Sequence, residues 1–248
     1  MNVEPTLADR PWPTVGTPTL VLPLGSTEQH GPHLPLDTDT VIAEAVAHAL
    51  ARRLREAGRD AVLAPAIGYG SSGEHEAFAG TISLGRTALE HLLLEFGRSA
   101  CRWADRLVVV NGHGGNAPAL AAVVPRLVDE GRDVAWLGCV PGRLDDGRGP
   151  DAHAGRAETS LMLHLQPQRV CPEPAPAGNR TPISELLPRL RRDGLGPVSP
   201  TGVLGDPSGA TAAEGERLLA GMIEAAWHRL HRWRTAPSGL LLGAGSAA

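Results

Sequence analysis

The feature that most constrains this chain is an alternation: short apolar runs, each followed by a longer stretch whose apolar residues recur at helical spacing. Residues 17–24 (TPTLVLPL), 61–66 (AVLAPA), 107–110 (LVVV) and 133–140 (DVAWLGCV) read as buried strands. Residues 38–58, 87–103, 118–130, 158–164, 183–192 and 212–233 read as helices, and 81–84 as a further short strand. Strands that alternate with helices connect by crossovers and pair in parallel. The expectation is an α/β fold, three-layer αβα, with a largely parallel sheet and helices on both faces. A chain of 248 residues, 42% of them hydrophobic, suits one domain. That domain is placed at 1–234, with a flexible tail of small residues over 235–248. In such sheets, sites form beyond the carboxyl ends of the strands.

Composition removes several function classes. Net charge is −4, Lys is absent, and Arg is spread along the chain, so no basic face for nucleic acid is expected. No apolar run reaches the ~18–20 residues that span a bilayer, and no membrane partner is expected. The opening MNVEPTLADRPW lacks the basic and apolar regions of a secretion signal, so the expected compartment is the cytoplasm. Cys101, Cys139 and Cys171 form no CxxC pair and read as reduced, mostly buried thiols. No GxSxG elbow is present, and no Cys sits beside a His.

The chemistry-bearing residues gather just after the strands. Residues 25–39 read GSTEQHGPHLPLDTD. Glu28 and His30 are two apart, so in an extended segment they point to one side. Asp37 and Asp39 repeat the spacing, and a carboxylate there could bridge two cations; a helix cap is the other reading of Thr38 or Asp39. Residues 111–116 read NGHGGN, where glycines let the backbone around His113 approach a ligand closely. Residues 153–160 read HAGRAETS, with His153 on a loop and Glu158 in the first helical turn. His75 lies in the glycine-rich loop 68–80, where it touches substrate or merely decorates the loop.

Together these motifs resemble the creatininase family, from about residue 15 to about residue 220. FAGT at 78–81 and GDPSGAT at 205–211 add to the match. The resemblance implies a binuclear metal site that hydrolyses amide-type C–N bonds. Glu28 and His113 would hold one divalent ion, His30 and Glu158 the other, with Asp39 bridging. The ligand set suits Zn²⁺, Fe²⁺ or Mn²⁺. Such ions bring the pKa of bound water from 15.7 to about 7. His153 and Glu28 are the catalytic candidates, His153 as general acid to the departing nitrogen. Gln29 and Asp37 are candidates for orienting ligands. Ser71, Ser72, His75 and Gly114 are candidates for substrate contact. The family's namesake takes a metal-binding Glu two residues after the strand-end His; here Gly115 stands in that place, which leaves Glu158 as the replacement. Residues 68–78 (GYGSSGEHEAF) most resemble the family's mycofactocin-system peptidases, which release a modified Val–Tyr dipeptide from a small precursor peptide. The resemblance also implies a homo-oligomer, with a hexamer as the expected size. Trp227, Trp233 and Leu240–Leu241–Leu242 are candidate contacts. A cyclic amidohydrolase or formamide deformylase, and an inactive metal-binding scaffold, are the alternatives.

Overall fold

The computed structural model describes residues 6–171, 173 and 175–243. Four strands, β1 (Thr19–Leu24), β2 (Ala61–Leu63), β3 (Arg106–Asn111) and β4 (Val134–Gly138), form one sheet. Their order is β2-β1-β3-β4 and every pairing is parallel, as the alternation predicts. Leu24 pairs with Asn111, and Asn111 with Gly138, so β1, β3 and β4 end level with one another.

Side chains alternate across the sheet with period two. Val21, Val108, Val110 and Leu137 face α1 (Thr38–Glu56), α4 (Arg156–Leu165) and α6 (Ala212–Arg232), meeting Val46, Leu50, Leu161 and Met222. Leu20, Leu22, Val109 and Trp136 face α2 (Gly85–Ala100) and α3 (Ala117–Asp129), meeting Leu89, Leu93, Leu120 and Leu127. Both faces are covered, and the central strands are buried along almost their whole length.

Local chemistry sets the helix starts. Thr211 caps α6 by accepting the Glu214 N–H at 3.1 Å. Pro118 sits in the first turn of α3, where its missing N–H costs nothing. The start of α1 differs from the cap expected at Thr38 or Asp39. Asp37 occupies the cap position without capping, because its carboxylate pairs with Arg169 at 2.7 Å. Asp39 lies in the first turn and is 2% exposed.

Three other expectations are corrected. Residues 81–84 form no strand; Ile82 makes a single bridge to Thr27 and is half exposed. Cys171 is exposed, its thiol against Glu173, while Cys101 and Cys139 are half-buried. Residues 235–243 do not behave as a tail. The Trp136 N–H donates to Gly239, the Leu241 N–H donates to Trp136, and Leu241 is buried. This segment extends the sheet edge beyond β4. Residues 244–248, the rest of the expected tail, lie outside the described residues.

Residues 178–205 fold across the carboxyl ends of the strands. Leu204 forms an antiparallel bridge with His153. Within the segment, α5 (Ile183–Asp193) is anchored by Leu186 and Leu190 against Leu195, Val198 and Leu204. No described helix is long and apolar enough to cross a membrane.

Candidate metal centre

After β1 the chain runs through α1 to β2 on one side of the sheet, then through α2 to β3 on the other. The loops leaving β1 and β3 therefore diverge at a topological switch point, where a crevice forms. Into it project Glu28 and His30 from the loop after β1, Asp39 from α1 and His113 from the loop after β3. His75 follows β2, His153 follows β4, and Glu158 lies in the first turn of α4. Gly112 allows the close approach: a methyl group there would overlap the Asp39 carbonyl oxygen.

The five residues expected to hold metal lie together. Asp39 is the centre: Oδ1 is 3.2 Å from His30 Nε2, and Oδ2 is 3.2 Å from His113 Nδ1. Glu28 Oε2 is 3.2 Å from His113 Nε2, and Glu158 Oε2 is 3.9 Å from His30 Nε2. Ligand atoms of Glu28, Asp39 and His113 all lie within 4.8 Å of one another, as do those of His30, Asp39 and Glu158, and of Glu28, His30 and His153.

Neighbouring groups fix the orientations. The His30 Nδ1–H donates to the Glu28 carbonyl at 3.1 Å, turning Nε2 to the carboxylates. The Ala154 N–H donates to Glu158 Oε2 at 2.6 Å. The His153 Nε2–H donates to the Gln29 carbonyl at 2.8 Å, which leaves Nδ1 facing Glu28 at 3.8 Å. Gln29 donates through Nε2 to His75 Nδ1 at 2.9 Å and to the Gly202 carbonyl at 3.1 Å. Gln29 thus holds His75 rather than one of the five expected ligands, and Asp37 turns away to Arg169. His75 Nε2 then lies 3.4 Å from Glu28 Oε1.

Burial dominates the electrostatics. It pushes the Glu28 carboxyl up to about 7, against the pull of His113. It also raises Glu158, with His30 opposing. For His30 burial works downward, but Asp39, Glu158 and Glu28 outweigh it and push the imidazolium up to about 10. His113 reaches about 10 in the same way, through Glu28 and Asp39. Asp39 is held well below the carboxylate range: His30 and His113 overcome the cost of its burial. His153 is pushed far down by burial, then by His30 and His75, and rests neutral. Burial, then His113 and His30, lowers His75 to about 3.

Both oxygens of Glu28 and Oδ2 of Asp39 are buried and accept no hydrogen bond. Orphaned carboxylate oxygens are costly. Here they converge with imidazole nitrogens, which is the donor set a divalent cation takes. The residues fit the metal.

A cavity of about 940 Å³ opens onto this cluster, lined by Glu28, Asp39, His113, His153 and Glu158 among others. Of the residues expected to contact substrate, Ser71, His75 and Gly114 line this cavity. Ser72 does not. It is fully buried behind the cluster, its hydroxyl against that of Ser26 and 3.4 Å from His113 Nε2. The wall that sequence reasoning missed is α5, which brings Ile183, Leu187 and Arg191 to the cavity. Their spacing of four was the available signal.

Fold and site define the class: a hydrolase that acts on amide bonds, with clustered residues able to bind metal. The family model for creatininase, described as creatinine amidohydrolase, matches residues 9–230. The chain belongs to the creatininase family. It is 55% identical over 228 residues to the mycofactocin precursor peptide peptidase of Mycobacterium ulcerans (strain Agy99), covering 90% of this chain and 89% of that one. A solved mutant creatininase superposes with a TM-score of 0.73 at 25% identity, covering 92% of this chain and 98% of its own. A second mutant, described as Zn-Zn type, gives 0.71 at 25% identity, covering 92% and 97%.

Proposed function

We propose that this chain is a two-metal peptidase that releases the modified C-terminal Val–Tyr-derived dipeptide from the mycofactocin precursor peptide. The observation that carries the two-metal reading is Asp39, whose two oxygens each face the histidine of a different ligand group at 3.2 Å. Glu28 and His113 would hold one divalent ion, His30 and Glu158 the other, with Asp39 common to both. Zn²⁺, Fe²⁺ and Mn²⁺ all suit this set. When bound, such ions polarise a carbonyl and make water a nucleophile at neutral pH.

The chain's own residues handle the proton. His153 rests neutral, with Nε2–H fixed on Gln29 and Nδ1 free. Nδ1 takes the proton released as water adds to the scissile carbonyl. It returns that proton to the amide nitrogen as the C–N bond breaks. A residue expected only as an acid thus acts first as a base, because burial keeps it unprotonated. The cavity supports a peptide substrate over a small cyclic amide: about 940 Å³ is near the upper end of the ~300–1,000 Å³ of small-molecule sites. A homo-oligomer, on the family resemblance, and a cytoplasmic location, on the sequence, remain the readings of assembly and compartment.

The test pairs metal analysis with mass spectrometry of the modified precursor peptide before and after incubation. Glu28→Ala, His30→Ala and His113→Ala are expected to lower metal content and abolish cleavage. Full metal loading with a wild-type rate in any of them would make the assignment wrong. His153→Ala is expected to keep near-normal metal content and lose about 10²- to 10⁴-fold in kcat.

A further inference from the structure

Helix α5 presents two faces. Leu186 and Leu190 are buried and hold it to the rest of the molecule. Ile183, Leu187 and Arg191, at i, i+4 and i+8, form a second stripe, and all three line the cavity that holds the metal-ligating cluster. Ile183 is 41% exposed and Leu187 38%.

Arg191 differs from its neighbours in charge pairing. Arg192 is paired with Asp193 at 2.9 Å, and Arg86, also lining the cavity, with Glu90 at 2.6 Å. Arg189 bonds the Pro197 carbonyl. Among the described residues Arg191 makes no hydrogen bond or ion pair. An unpaired guanidinium at the end of an apolar stripe, on the wall of a hydrolytic cavity, suits a carboxylate preceded by apolar side chains.

We propose that the Ile183–Leu187–Arg191 stripe of α5 is a substrate-reading surface, on which Arg191 binds a carboxylate of the peptide and sets specificity. This rests on the peptidase reading above. The carboxylate has two sources, an acidic side chain on the leader side of the scissile bond or the chain terminus.

The test is steady-state kinetics of the metal-loaded full chain on three peptides: the modified precursor, its C-terminal carboxamide, and a version with leader-side Asp and Glu replaced by Asn and Gln. Arg191→Ala is expected to raise KM about 10- to 100-fold on the precursor, the range for a charged hydrogen bond, with kcat within about twofold. One amide-substituted peptide should lose a similar factor with the wild type and nothing further with Arg191→Ala, which identifies the source. An unchanged KM, or losses that multiply for both substituted peptides, would overturn the proposal. So would Arg191→Ala or Leu187→Ser altering the oligomeric mass in light scattering while leaving KM intact, since α5 would then face another copy. A wild type that leaves all three peptides whole would refute the peptidase reading instead. Binding of the same peptides by calorimetry would then decide the role of α5.

Discussion

At Gly115 a methyl group would overlap both His113 Nε2 and the carbonyl oxygen of Ser71. The His113 Nε2–H lies 3.1 Å from that same oxygen, so Gly115 leaves room for the contact that orients the imidazole. Any side chain at this position would therefore press on His113 and Ser71. Gly115→Ala is expected to turn His113 and weaken divalent-ion binding about 10- to 100-fold, the usual cost of disturbing a ligand's support. Titration calorimetry with Zn²⁺ or Mn²⁺ measures it, and unchanged affinity would show that the loop yields instead. At this scale the sequence was informative about identity and poor about environment. HAGRAETS marked His153, but its neutral resting state depends first on burial and then on His30 and His75, distant in sequence. Ser71 and Ser72 are adjacent and look alike, yet one lines the cavity and the other is buried behind His113.

Elements are held in place by a second, separate polar centre. Glu214, in the first turn of α6, is 1% exposed. It accepts from Arg156 Nε at 2.8 Å, the Ser160 hydroxyl at 2.9 Å and the Asp145 N–H at 2.9 Å. It thereby locks α6 to the start of α4, the turn that carries Glu158. Burial alone would raise its pKa, but these donors outweigh it and hold the carboxyl below its ordinary value. The stabilisation is therefore full above the unfolded carboxylate pKa and lost as pH falls through the lower, folded value. Glu214→Gln should cost about 2–3 kcal/mol at pH 7, or about 5–10 °C in Tm at this size. Scanning calorimetry should show the gap from wild type closing below the ordinary carboxylate range. A gap constant down to pH 3 would remove the charge from the explanation. No sequence period announced this contact, which joins residues 58 positions apart. The helices and the four strands were legible because apolar periodicity reports burial directly. The run at 81–84 misled because β-branched composition alone does not supply a partner strand: its bridge to Thr27 is isolated and Ile82 stays exposed.

For the whole molecule, alternation implied a parallel sheet, but the order β2-β1-β3-β4 was not readable, and that order brings the loops together. The fold gathers three carboxylates and four imidazoles at one switch point and buries most of them. Without a cation, this arrangement depends on retained protons: Glu28 is pushed up to about 7, and His30 and His113 to about 10. The orphaned oxygens of Glu28 and Asp39 still lack donors. A divalent ion supplies the missing partner in the folded state and has no preformed site in the unfolded chain, so its binding free energy adds to folding stability. At a free concentration about 100 times Kd, Zn²⁺ or Mn²⁺ should stabilise the chelator-stripped protein by about 2.7 kcal/mol. For a chain of this length that is about 5–10 °C in Tm. Because the ligands must shed protons to bind, the increment at a fixed metal concentration should shrink from pH 8 to pH 6. Calorimetric scans of stripped and reloaded protein at both values test this. A Tm indifferent to metal at pH 8 would mean that the cluster is stable on its internal ion pairs alone, and the two-cation reading would fall with it.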